Sequence, residues 1–148
     1  MSRLLRNLFY FALVLCPSAG FAAPVSSPNS ADTRNHFYMI GHAHIDPVWR
    51  WTKEEGFAEV LATFRSVLDR MKTYPEVAMV VSSAQFYEWV LKADPQMFAE
   101  IQQRVQEGRW DLVSGWWVES DANCPGGESH VRQGLYGQTF FLKHFGRT

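Results

Sequence analysis

Residues 36–46 read HFYMIGHAHID. Phe37, Tyr38, Met39 and Ile40 make a short apolar run suited to a buried strand of a parallel sheet. The polar residues that close it, His42, His44 and Asp46, are two apart, so in extended backbone they share one face. Downstream, Thr52-Lys53-Glu54-Glu55 has the form of a capping box. Phe57, Val60, Leu61, Phe64, Val67, Leu68 and Met71 then recur as one face of an amphipathic helix, which Pro75 stops. Val77 to Val81 is a second buried strand, and Ser82-Ser83 is expected to cap a helix running to about Leu91. Asp94-Pro95 reads as an N-cap followed by Pro at the first helical position, with Met97, Phe98, Ile101 and Val105 inward and Gly108 just past the helix end. Trp110 to Val113 is the third strand, Ser114 to Gly127 a long loop, and Glu128 to about Phe145 the last helix. Strands alternating with amphipathic helices predict the α/β class, a parallel sheet covered by helices. Three strands are few for that class, so the chain is expected to be the first part of a larger domain, truncated after about three βα units.

The 148 residues are 47% hydrophobic and 20% charged, which excludes a disordered tail or a collagen-like repeat. Lys+Arg at 14 against Asp+Glu at 15 leaves no basic stripe of the kind that neutralises nucleic-acid phosphates. Residues 1–22 read as a secretory signal peptide: Arg3 and Arg6, an apolar run from Leu8 to Leu15, Pro17, then small residues ending in Ala22. The run is far short of the ~20 apolar residues of a membrane span. Cys16 lacks the small preceding residue of a lipoprotein signal. The mature chain is therefore expected in the periplasm or outside the cell, without a stable membrane anchor. Loss of Arg3 and Arg6 from the 14 basic residues leaves 12 against 15 acidic ones, and loss of Cys16 leaves Cys124 as the only thiol, with no internal disulfide. Residues 23–35, rich in Ser, Pro and Asn, read as a flexible lead-in.

The chemistry concentrates at the strand ends. In parallel α/β folds ligands gather at the C-terminal ends of strands, where His42, His44 and Asp46 lie. Imidazole nitrogen and carboxylate oxygen both suit zinc, and two ligands two residues apart can grip one ion. A catalytic zinc takes about three protein ligands and an open position, so this strand alone does not complete a site. The plainer reading is hydrogen bonding to backbone at the turn before Pro47. Trp49 is suited either to pack against a sugar face or to cover the core, and Trp51 more to the latter. Glu119 and Asp121 fall on the loop after the third strand, at the same rim. They suit hydroxyl binding or a second metal shell, or simply loop-ordering hydrogen bonds. His130 and His144 read as surface histidines of the last helix.

These motifs, taken together, are specific. GHAHIDPVW with Glu54-Glu55-Gly56 resembles the opening motif of the glycoside hydrolase family 38 α-mannosidases. Ser82-Ser83-Ala84-Gln85-Phe86-Tyr87-Glu88-Trp89, Gly108-Arg109-Trp110, Gly115-Trp116-Trp117-Val118-Glu119-Ser120-Asp121, Gly127-Glu128-Ser129, Val131-Arg132-Gln133 and Leu135-Tyr136-Gly137-Gln138 follow in the family's order. The resemblance covers about His36 to the last residue and is closer to the bacterial and cytosolic-type branch. It implies a (β/α) barrel-like catalytic domain and a retaining exo-α-mannosidase that removes terminal α-mannosyl residues from glycans with one zinc ion. His44 and Asp46 match the family's zinc ligands, Trp49 its sugar-packing residue, and His42 a position that braces the ligands or the backbone without binding the ion. The family's nucleophilic Asp, its acid/base and its last zinc ligand are expected beyond Thr148; Asp111 and Asp121 stand in the wrong motifs. The chain alone is thus expected to be inactive. Two other readings stay open: a different HxH metal hydrolase of amidohydrolase or deacetylase type, and a secreted carbohydrate-binding remnant using Trp49, Trp116 and Trp117.

Overall fold

A computed structural model describes residue 37 and residues 39–147. The expected signal peptide (1–22) and lead-in (23–35) lie outside the described residues. The elements are β1 (Gly41–His42), α1 (Lys53–Thr73), β2 (Met79–Val81), α2 (Ala84–Ala93), α3 (Pro95–Gln106), β3 (Trp110–Leu112) and α4 (Gly127–Phe145). The strands form one parallel sheet in the order β1-β2-β3, with Gly41 opposite Met79 and Met79 opposite Trp110. Parallel neighbours need a crossover, which α1 supplies between β1 and β2 and the α2–α3 pair between β2 and β3. Among the described residues no helix is long and apolar enough to cross a membrane.

The helix ends follow their local chemistry. Thr52 accepts from the Glu55 amide while Glu55 reaches back to the Thr52 N–H, the reciprocal capping box its sequence predicts. Asp94 accepts from the Met97 amide at 2.9 Å, with Pro95 as the first residue of α3, and Gly108 takes the left-handed conformation (φ 71°) just past that helix. The C-terminal carbonyls of α1 are met from across the sequence: the Arg109 guanidinium donates to Met71 O and Tyr74 O, both at 2.9 Å.

The apolar run before the histidines does not form the expected buried strand. β1 is only two residues long, and Phe37, Met39 and Ile40 stand exposed. The register supplies the reason. β2 begins at Met79, opposite Gly41, so Met39 and Ile40 lie before the paired part of the sheet.

The core lies instead where α1, α2 and α3 meet one another and the sheet. Val60, Phe64, Leu68 and Met71 of α1 are buried with Phe86, Tyr87 and Val90 of α2, Met97, Phe98 and Ile101 of α3, and Phe141 of α4. Trp110 is fully buried, edge-on to Phe64 at 5.1 Å between ring centroids. Its indole N–H donates to the Tyr87 hydroxyl (2.9 Å), which in turn donates to Val81 O (3.2 Å), so the two polar atoms of this aromatic core are satisfied. Much of the aromatic excess is therefore packing.

Candidate metal centre

Parallel strands end at a common edge, and three segments meet there: residues 43–51 after β1, Ser82 and Ser83 after β2, and the loop after β3. His42 places Nδ1 3.1 Å from Val80 O. A carbonyl only accepts, so Nδ1 carries the proton and Nε2 is left with its lone pair. His44 has Nε2 3.4 Å from Asp46 Oδ1 and Nδ1 2.9 Å from Glu119 Oε2. One ligand atom each from His42, His44 and Glu119 lies within 4.8 Å of the others. Two atoms on one tetrahedral zinc, each about 2.0–2.1 Å from the ion, stand roughly 3.3 Å apart. The His44 Nε2–Asp46 Oδ1 pair has nearly that spacing. Imidazoles and carboxylates arranged so fit a divalent cation, with His44 common to both groupings.

The loop that brings Glu119 here is held at several points. Ser114 (φ 72°) and Gly115 (φ 68°) turn the chain sharply after β3. Trp116 O and Trp117 O then accept from the Ala84 and Gln85 amides, both at 2.9 Å, satisfying the start of α2. This corrects the expectation that Ser82-Ser83 caps that helix through a side chain. Ser83 sits at φ 68°, away from the extended backbone from which an N-cap side chain reaches its own first turn, and it makes no such bond. Its Oγ accepts instead from the Glu119 amide at 3.2 Å, while Ser82 Oγ donates to Glu119 Oε1 at 2.6 Å. From the other side, Gln133 on α4 accepts from the Trp117 amide through its carbonyl and from the Val118 amide through Oε1, each at 2.9 Å.

Asp121 lies apart from this group. Its Oδ1 accepts from the Asn123 amide (2.6 Å) and the Cys124 amide (2.9 Å), and these bonds hold its carboxyl below the usual carboxylate range. It orders the loop, the plainer of the two roles its position offered. His130 faces Trp116 and Ser120, and His144 stacks on Phe140 at 4.5 Å, where burial lowers its pKa. Neither joins the cluster.

Trp49 is exposed, with Trp51 edge-on to it at 5.5 Å and the Arg50 guanidinium 5.0 Å from its ring centroid. Trp51 donates its indole N–H to Asp46 O at 3.0 Å, bracing the turn that carries Asp46. A hollow of about 400 Å³ opens beside His44, walled by Ile45, Trp51, Glu55 and Glu59. Ser82 and Trp51 escaped the sequence reading as site-forming residues. The available signal was position: Ser82 follows β2 directly, at the edge where β1 presents its histidines.

Residues 34–148 match the N-terminal domain of glycosyl hydrolases family 38. The chain belongs to this family. Alpha-mannosidase G of Dictyostelium discoideum is 36% identical to it over 121 residues, which is 82% of this chain and 11% of that protein. An alpha-mannosidase of Saccharomyces cerevisiae is 36% identical over 126 residues, 84% of this chain and 12% of that one. The chain thus spans little more than a tenth of the length of these curated relatives. The crystal structure of an alpha-mannosidase from Enterococcus faecalis resembles it with a TM-score of 0.66 at 23% identity, over 73% of this chain and 12% of that chain, a likeness of fold. Membership in family 38 removes the amidohydrolase and deacetylase alternatives. It also assigns the HxHxD stretch and the loop carrying Glu119 to a single family domain.

Proposed function

We propose that this family 38 chain carries the opening half-site of a zinc-dependent, retaining exo-α-mannosidase acting on terminal mannose residues of glycans. The observation that carries the reading is the His44 Nε2–Asp46 Oδ1 pair, at ligand spacing, on a parallel strand end beside an exposed tryptophan. The relatives' names support the sugar and the reaction. In this reading His44 and Asp46 hold the ion, His42 supports it through the ring nitrogen left bare by its bond to Val80 O, and Trp49 packs against the apolar face of the sugar. Bound there, zinc would supply a positive centre that holds two adjacent ring hydroxyls and favours distortion toward an oxocarbenium-like geometry. In this reading His44, Asp46 and Trp49 bind and orient the sugar within a barrel-like domain. Residues 1–22 direct export to the periplasm or beyond.

The test is binding of methyl α-mannoside to the 148-residue chain, followed by ligand-observed NMR with zinc present and after chelation. The reading expects saturation transfer that needs zinc and is lost in His44→Ala and in Trp49→Ala. Transfer that survives both chelation and His44→Ala would replace it with a metal-independent carbohydrate-binding role.

A further inference from the structure

Glu119 touches two different strand ends at once. Ser82, directly after β2, donates its hydroxyl to Oε1 at 2.6 Å, and the Glu119 amide donates to Ser83 Oγ at 3.2 Å. The remaining oxygen, Oε2, lies 2.9 Å from His44 Nδ1. Ser82 and Ser83 are both buried, so the carboxylate is gripped from the interior side while its free oxygen faces the histidine.

We propose that Glu119 is a positioning residue for the metal centre: anchored by Ser82 and Ser83, it accepts the Nδ1 proton of His44 and so turns the bare Nε2 toward the ion. The inference rests on the zinc reading above and extends it to a residue that approaches the ion only through His44. The distances favour this role over direct ligation. At 2.9 Å, Oε2 and Nδ1 make a close charge-pair contact, shorter than the roughly 3.3 Å expected of two ligands on one tetrahedral ion, whereas Nε2 and Asp46 Oδ1, at 3.4 Å, have the ligand spacing. A carboxylate on the far nitrogen of a metal-binding imidazole fixes its tautomer and ring orientation and raises its basicity. The serines matter because an unanchored glutamate on a solvent-exposed loop would spend its side-chain freedom to hold that bond. The arrangement links all three strands: β3 delivers Glu119, β2 grips it, and β1 presents the histidine it orients.

Two readouts test the relay. Nitrogen-15 chemical shifts of the neutral His44 ring in the metal-free 148-residue chain report the tautomer whether or not zinc binds. The proton is expected on Nδ1 in the wild type and redistributed toward Nε2 in Glu119→Ala. Zinc affinity, from competition with a chelating dye, is expected to fall about 10–100-fold in Glu119→Ala, with a smaller loss in Ser82→Ala. In Glu119→Gln the affinity should stay within a few-fold of wild type, because an amide oxygen still accepts the proton. A wild-type His44 protonated on Nε2, or a tautomer that Glu119→Ala leaves unchanged, would overturn the relay. A loss in Glu119→Gln as large as in Glu119→Ala would also overturn it, because the carboxylate would then be a ligand. Failure of the wild-type chain to bind zinc counts against the functional reading alone; the tautomer still decides the relay. Circular dichroism of each variant separates these results from misfolding.

Discussion

Gly137 and Gly134 lie one helical turn apart on α4 and face opposite circumstances. A Cβ on Gly137 would run into Gly115 O and the backbone of Trp116, where α4 lies against the loop that carries Glu119. Backbone cannot step aside as a flexible side chain can, so Gly137→Ala is expected to destabilise the fold by about 1–3 kcal/mol and to loosen that loop. A Cβ on Gly134 meets nothing within 4 Å. Gly134→Ala should therefore stabilise by up to about 1 kcal/mol through helix propensity and reduced unfolded-state entropy. Urea denaturation of the two variants checks the pair, and equal effects of the same sign would contradict the packing described. At this scale the sequence was most legible where a residue acts on its near neighbours, as in the Thr52–Glu55 box and the Asp94–Pro95 start. It was least legible for Ser83, whose partner is the amide of Glu119.

Between elements, α1 and α3 are joined by a two-pronged ion pair. Arg65 donates to both oxygens of Glu100, at 3.0 and 2.8 Å, and Asp69 and Lys72 extend the network along α1. The hydrogen bonds from Arg65 hold the Glu100 carboxyl below its usual range. A folded pKa below the unfolded one contributes stability that is fully present above the unfolded value and is lost as pH falls through the lowered folded value. Thermal midpoints of wild type and Glu100→Gln, followed from neutral to acid pH, should therefore differ most at neutral pH and converge below the carboxylate range. A constant gap at all pH values would show that the ion pair does not link to protons as the geometry implies. Because both partners are about a third exposed, solvent screening keeps the effect modest. Helix periodicity predicted both helices, but nothing in it pairs Arg65 with Glu100, 35 positions away.

For the molecule as a whole, the exposed apolar side chains decide behaviour in solution. Met39 and Ile40 lie beside the edge strand β1, and Val131, Leu135 and Leu142 are exposed along α4 at spacings of four and seven, one face of that helix. Such groupings favour association. The 148-residue chain is expected to self-associate with rising concentration in sedimentation velocity and to enhance the fluorescence of a hydrophobic dye. The double change Leu135→Glu with Leu142→Lys should reduce both. A wild-type monomer that leaves the dye dark would show these faces to be harmless.

What the sequence by itself determined was the α/β class, the starts of α1 and α3 with the stop of α3, the parallel order of strand–helix alternation and the family to which the motifs point. These rest on contacts a few residues apart or on periodicity, which a linear reading senses directly. It also singled out His42, His44 and Asp46 by their spacing of two, although β1 ends at His42 and the other two lie on the segment after it. Only the tertiary structure decided where β1 begins, which followed from the register with β2, and which of the two rim carboxylates, Glu119 or Asp121, reaches His44. Both residues sit on one loop two positions apart, and the choice between them depends on hydrogen bonds to Ser82 and Ser83, 37 and 36 positions away. Chain closure over that distance is set by the packing of the whole sheet edge, which no local pattern encodes.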